Sequence, residues 1–167
     1  GNLDVNVYYT FDDENRLSIT YHAVSDQDTI CNLTNHVYFN LSGHDSQDLM
    51  EQKMQIHGNE FLPVDETQIP TGELRSVTGT PFDFRVPKPI GQGIGADDEQ
   101  LAIGEGYDHN YVLNHQKSET NWEAAAAYSE RSGISLVCRT DQPGMQFYTG
   151  NHLGPQTGKG GVSYGFR

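Results

Sequence analysis

Asp4-Val5-Asn6-Val7-Tyr8-Tyr9-Thr10-Phe11 alternates, with Val5, Val7, Tyr9 and Phe11 on one side and Asp4, Asn6, Tyr8 and Thr10 on the other. Asp12-Asp13-Glu14-Asn15 then reads as a turn, and Leu17, Ile19, Tyr21 and Ala23 resume the pattern. Successive side chains of a strand point to opposite faces, so this is the signature of a β-hairpin with one wet face. The same period returns at residues 108–113, 123–129, 134–140 and 145–149, and more weakly at 50–57. Residues 123–127 carry an alanine run of good helix propensity. Their place before Glu130-Arg131-Ser132-Gly133, a hairpin turn followed by a β-branched run, favours strand. Residues 60–86 hold repeated turn signals and read as irregular loop with short strands, laid over one face. Pro87-Lys88-Pro89-Ile90-Gly91 starts at most a short helix, which the glycines at 91, 93 and 95 end. Val162-Ser163-Tyr164-Gly165-Phe166, just before Arg167, starts to look like a further strand. Many short antiparallel strands imply an all-β, antiparallel β-sandwich.

Composition narrows the partners. Ten Lys plus Arg stand against 23 Asp plus Glu, a net charge of −13 over 167 residues. Nucleic acid and anionic membrane surfaces both call for clustered basic residues, so neither is expected as a partner. Only 35 % of residues are hydrophobic, yet nine Tyr, seven Phe and one Trp are too many aromatics for a disordered acidic chain. No apolar run reaches the roughly 18 residues that span a bilayer. Cys31 and Cys138 cannot build a disulfide framework, and their apolar sequence neighbours make them candidate buried free thiols. The chain opens with no basic or apolar leader, so a reducing, cytoplasmic setting is expected.

Three segments carry polar groups where strands are expected. Thr34-Asn35-His36-Val37-Tyr38-Phe39-Asn40-Leu41, read as a strand, places Thr34, His36, Tyr38 and Asn40 on one face. An imidazole, a phenol and an amide side by side suit sugar hydroxyls or proton transfer; a half-exposed polar strand face is the plainer alternative. Gly106-Tyr107-Asp108-His109-Asn110 enters a strand with groups that are costly to bury and useful for binding, or that form an Asx-turn with exposed neighbours. Gln146 sits between apolar and aromatic residues in Pro143-Gly144-Met145-Gln146-Phe147-Tyr148-Thr149-Gly150-Asn151, where it must satisfy a neighbour or face a cavity. The seven histidines, His22, His36, His44, His57, His109, His115 and His152, are scattered without metal-ligand spacing, so no metal site is expected and most are expected at the surface. There is no G-x-S-x-G elbow, Walker loop or dinucleotide fingerprint.

Taken together these segments resemble the aldose 1-epimerase (galactose mutarotase) family. The resemblance rests on residues 34–43, on Asn59-Glu60-Phe61-Leu62-Pro63-Val64-Asp65 with Ile69-Pro70-Thr71-Gly72-Glu73, and on Gly79-Thr80-Pro81-Phe82-Asp83-Phe84-Arg85. It is completed by residues 106–110 and 143–151 and covers essentially the whole chain, as the middle and later portion of a family about twice as long. It implies a mutarotase-like sandwich present as a partial domain over residues 1–167, without an N-terminal half and final strands. It implies interconversion of the α- and β-anomers of hexoses such as galactose and glucose, with no cofactor. By motif match, His36 would be the general acid, and Tyr38, Asp108 and Gln146 would contact the sugar. The family's glutamate base follows the Gly-Lys-Gly-Gly segment, and no glutamate here stands in that context, so this chain alone is expected to be nearly inactive. A non-catalytic carbohydrate-binding sandwich related to the epimerases is the alternative, and self-association through open sheet edges is expected.

Overall fold

A computed structural model describes residues 1–114 and 121–165; His115, Phe166 and Arg167 lie outside the described residues. The chain divides into two compact units, Gly1–Val37 and Tyr38–Arg167.

The first unit is built on the hairpin of β1 (Leu3–Phe11) and β2 (Leu17–Ser25). Its register pairs Val5 with Ala23, Val7 with Tyr21, Tyr9 with Ile19 and Phe11 with Leu17, the alternation read from the sequence. The turn is closed by Asp12, whose carboxylate accepts from the amides of Glu14 and Arg16 (both 3.0 Å), with Asn15 in the left-handed region. Both faces of the ribbon are largely exposed, because two strands alone have no second layer to bury one.

Residues 28–40 form no regular element, so the strand expected across 34–41 is absent. Their polar side chains bond locally in each unit instead. Asn35 donates to the Tyr9 hydroxyl (3.0 Å) in the first, and Asn40 bonds the Ser42 amide and the Ser46 carbonyl in the second.

The second unit opens with a 3₁₀ turn (Leu49–Glu51) and continues with β3 (Lys53–Ile56), β4 (Gly58–Leu62), β5 (Arg75–Ser76) and β6 (Lys88–Pro89). Two short helices follow, α1 (Gly91–Ile94) and α2 (Glu99–Gly104), then β7 (Asp108–Leu113), β8 (Trp122–Tyr128), β9 (Ser135–Thr140) and β10 (Gly144–Tyr148). A last small ribbon pairs β11 (Gln156–Thr157) with β12 (Ser163–Tyr164). The larger strands make two antiparallel four-stranded sheets, ordered β10-β7-β4-β5 and β6-β3-β8-β9.

One core serves both sheets: Phe61, Tyr111 and Phe147 from the first meet Ile56, Ala124 and Ala125 from the second. The turn-rich stretch after β5 contributes as much as any strand. Phe82 and Phe84 are almost fully buried, and Phe82 stacks on Phe61 with centroids 4.3 Å apart. A segment that reads as loop therefore supplies core, which is how a chain lean in aliphatics closes a sandwich: each ring buries a large area.

Helix α2 was not legible as an element. It is capped by the Asp98 carboxylate, which accepts from the amides of Gln100 (2.9 Å) and Leu101 (3.2 Å). It ends at Glu105, which adopts the left-handed conformation. The cysteines differ from expectation as well. Cys31 is exposed, because its segment joins no sheet, while Cys138 is partly buried in β9 and burial pushes its thiol pKa up.

Candidate functional site

The centre of the site lies where β10 runs beside β7. The antiparallel register sets Gln146 opposite Asn110, Phe147 opposite His109, and Tyr148 opposite Asp108. With a side-chain period of two, Asp108, Asn110, Gln146 and Tyr148 share one face, and His109, Tyr111 and Phe147 share the other. Burial follows that division: the second set is buried in the core, and none of the first is. Gln146 Nε2 donates to Asp108 Oδ1 at 2.8 Å, a diagonal cross-strand bond between an exposed amide and a partly buried carboxylate. The amide satisfies a neighbour, one of the two fates open to it in the sequence, and its own carbonyl and the second Asp108 oxygen extend the row of polar atoms.

A group of aromatic rings centred on Tyr148 adjoins this pair. Tyr148, directly across the ladder from Asp108, meets Tyr38 edge-on with centroids 6.0 Å apart. Its hydroxyl accepts from the His152 amide (2.9 Å), and the His152 ring lies roughly parallel to it at 6.4 Å. Thus Tyr38, Asp108 and Gln146 fall in one neighbourhood of the second unit, joined there by Tyr148, which sequence reasoning did not nominate. The signal was available: Tyr148 is two residues from Gln146 on the same strand. His36 belongs to the first unit, where it is exposed on the irregular stretch, not aligned with Tyr38 along a strand face.

His109, the histidine of the same motif, is not a surface residue. It is 1 % exposed and sits edge-to-face against the stacked pair of Phe61 and Phe82. Nδ1 accepts from the Asp108 amide (3.2 Å), which leaves the proton on Nε2 to be donated to Gln100 Oε1 (3.2 Å). Gln100 in turn bonds both backbone groups of Val64. Burial lowers the His109 pKa to about 4 despite the nearby carboxylates of Asp108 and Asp98, so the ring is neutral near pH 7 and serves packing. Among the described residues no group of three or more His, Cys, Asp or Glu is arranged to hold a metal ion. No helix among them is long and apolar enough to cross a membrane.

Fold and face together define an antiparallel β-sandwich that presents a carboxylate–amide pair beside Tyr148, which Tyr38 meets edge-on. The chain belongs to the aldose 1-epimerase family, whose model matches residues 1–164. It is 44 % identical over 164 residues to an aldose 1-epimerase of Escherichia coli (strain K12), covering 98 % of this chain and 46 % of that protein. It is 42 % identical over 165 residues to the galactose mutarotase of Bos taurus, again covering 98 % of this chain and 46 % of the relative. In three dimensions it superposes on an aldose epimerase homologue from C. elegans with a TM-score of 0.84 at 33 % identity, over 98 % of this chain and 47 % of the other. The chain spans about half the length of the curated relatives it matches, and its fold is that of the galactose mutarotases.

Proposed function

We propose that this chain carries the sugar-binding part of an aldose 1-epimerase acting on hexoses such as galactose and glucose. The observation that supports this most directly is the 2.8 Å Gln146–Asp108 pair on the open face of β7 and β10, in a chain of this family. A carboxylate and an amide offer alternating acceptors and donors to vicinal hydroxyls, and tyrosine rings suit the apolar edge of a pyranose. In this reading Asp108 and Gln146 hold the hydroxyls and Tyr38 packs on the ring.

Anomer exchange requires a base to take the proton from the C1 hydroxyl while an acid protonates the ring oxygen. The ring opens, the C1–C2 bond turns, and closure reverses the two transfers. His36 is the proposed acid, since an imidazole exchanges protons near neutrality. Each proton-transfer group is worth about 10²–10⁴-fold. No glutamate of this sequence stands in the motif context of the family's base, so the 167-residue chain by itself should bind the sugar and turn it over little.

The test combines NMR titration with D-galactose and D-glucose and polarimetry of their mutarotation. Saturable binding that Asp108→Asn and Gln146→Ala weaken, with rotation changing no faster than in buffer, is the expected outcome. Absence of binding would overturn the reading. A rate well above buffer that His36→Ala abolishes would overturn the expected inactivity and support His36 as the acid.

A further inference from the structure

The sequence Thr149-Gly150-Asn151 that follows β10 takes no part in the chemistry above, yet Asn151 is 2 % exposed and Thr149 3 %. The Asn151 side-chain amide donates to two backbone carbonyls, Gly104 at 2.8 Å and Tyr107 at 3.0 Å, and its oxygen accepts from the Thr149 hydroxyl at 2.6 Å. Thr149 extends the β10–β7 ladder: its amide donates to the Tyr107 carbonyl (3.1 Å), and its hydroxyl accepts from the Tyr107 amide (3.2 Å). Both sides of Tyr107 are thereby tied to the strand that carries Gln146, one residue before Asp108. Gly106 lies inside the same knot. Its φ of +139° is one that side chains rarely adopt, and a Cβ there would stand 2.5 Å from Asn151 Oδ1.

We propose that Asn151 is a positioning residue. By clamping the end of α2 and the entry of β7 it sets where Asp108 stands against Gln146, the pair assigned above to the sugar. The inference rests on that assignment for its link to binding, but its geometry does not. Asn151 reaches the Gly104 carbonyl at the last residue of α2 and the Tyr107 carbonyl at the mouth of β7, so it fixes the turn between them from both ends. Losing the amide takes the side-chain donor from the buried Gly104 carbonyl, while the Tyr107 carbonyl keeps the Thr149 amide, so the α2 end of the turn must open toward water or shift to find another donor. Either movement carries the Asp108 carboxylate away from Gln146.

Two readouts on the full 167-residue chain separate this from a merely structural role. The first is the side-chain amide signal of Gln146 in a ¹⁵N–¹H spectrum, which reports the bond to Asp108 without any sugar. The second is the dissociation constant for D-galactose. Asn151→Ala should move the Gln146 signal toward that of a solvent-exposed amide and weaken galactose binding about tenfold. Ile56→Val, a trim of the core in the other sheet, controls for lost stability and should move neither. If Asn151→Ala does not fold, Thr149→Val, which removes one arm of the clamp, should shift the same signal to a smaller degree. A folded Asn151→Ala or Thr149→Val protein with the Gln146 signal in place overturns the clamp. If the wild-type chain binds no galactose, the functional assignment falls, and the Gln146 signal alone decides for or against the clamp.

Discussion

Acid should destabilise the second unit through one buried ring. His109 has its pKa lowered from the ordinary 6.5 to about 4 by desolvation. In the unfolded chain the imidazole takes up a proton near pH 6.5; in the folded chain it does so only near pH 4. Between those values the unfolded state binds more protons, so stability rises with pH across the window and is level above it. The difference of about 2.5 units, at 1.36 kcal/mol each, corresponds to about 3 kcal/mol lost between pH 6.5 and pH 4. Carboxylates whose pKa is lowered by hydrogen bonds, such as Asp83 beside Arg85 and Asp65 beside Thr67, lose their contribution at still lower pH. His109→Gln removes the titration while keeping a polar group against Gln100. It should cost about 1–3 kcal/mol at pH 7 from imperfect replacement of two buried hydrogen bonds. Its stability should then change much less from pH 6.5 to 4.5 than the wild type's. Urea unfolding at a series of pH values, followed by fluorescence of Trp122 in the same unit, measures both slopes. All other titrating groups are common to the two proteins, so the difference isolates His109. Parallel slopes would refute the reasoning.

Two other outcomes follow from packing. Phe82→Ala should lower stability by about 3–5 kcal/mol, since Phe82 is fully buried and touches Phe61, Tyr107 and His109; thermal unfolding showing a loss below about 1 kcal/mol would contradict that. The two thiols should react with Ellman's reagent in separate phases, exposed Cys31 within the fast one and Cys138 only slowly, because burial keeps its thiol protonated; equal rates would contradict it.

Strands whose two faces meet different environments were legible, because the environment writes a period of two into them. Residues 108–113 were read with the bounds the structure gives to β7, and its buried His109, Tyr111 and Leu113 alternate with Asp108, Asn110 and Val112. Asp108 and Gln146 were legible as separate motifs, but their meeting depends on the β7–β10 register, which joins residues 38 apart. Tyr148 shares the face of Gln146 by the strand period alone, and only its place opposite Asp108 needs the register. The strand expected at 34–41 fails differently: Asn35 and Asn40 bond their side-chain amides to the Tyr9 hydroxyl and to the turn at Ser42 and Ser46, and the segment joins no ladder, so its alternation does not report a sheet face. Helix α2 is too short for a helical period to show, although Asp98 before Glu99 and the glycines at 104 and 106 mark both its ends. The burial of His109 is not legible, because the scatter of the seven histidines points to the surface for most of them and its motif offers only a binding or a turn role. The aromatic shell of Phe61 and Phe82 that admits it is assembled from distant segments.

The mutual fit of Gly106 and Asn151 constrains how this sequence can change. Any side chain at 106 collides with the Asn151 oxygen, and any smaller residue at 151 strips donors from the Gly104 and Tyr107 carbonyls. A side chain at 106 and the loss of the amide at 151 therefore disturb the same turn, the one through the Asn151 oxygen and the other through its nitrogen. The two residues stand 45 places apart in the chain yet share one turn, so a substitution at either is read correctly only against the residue that occupies the other.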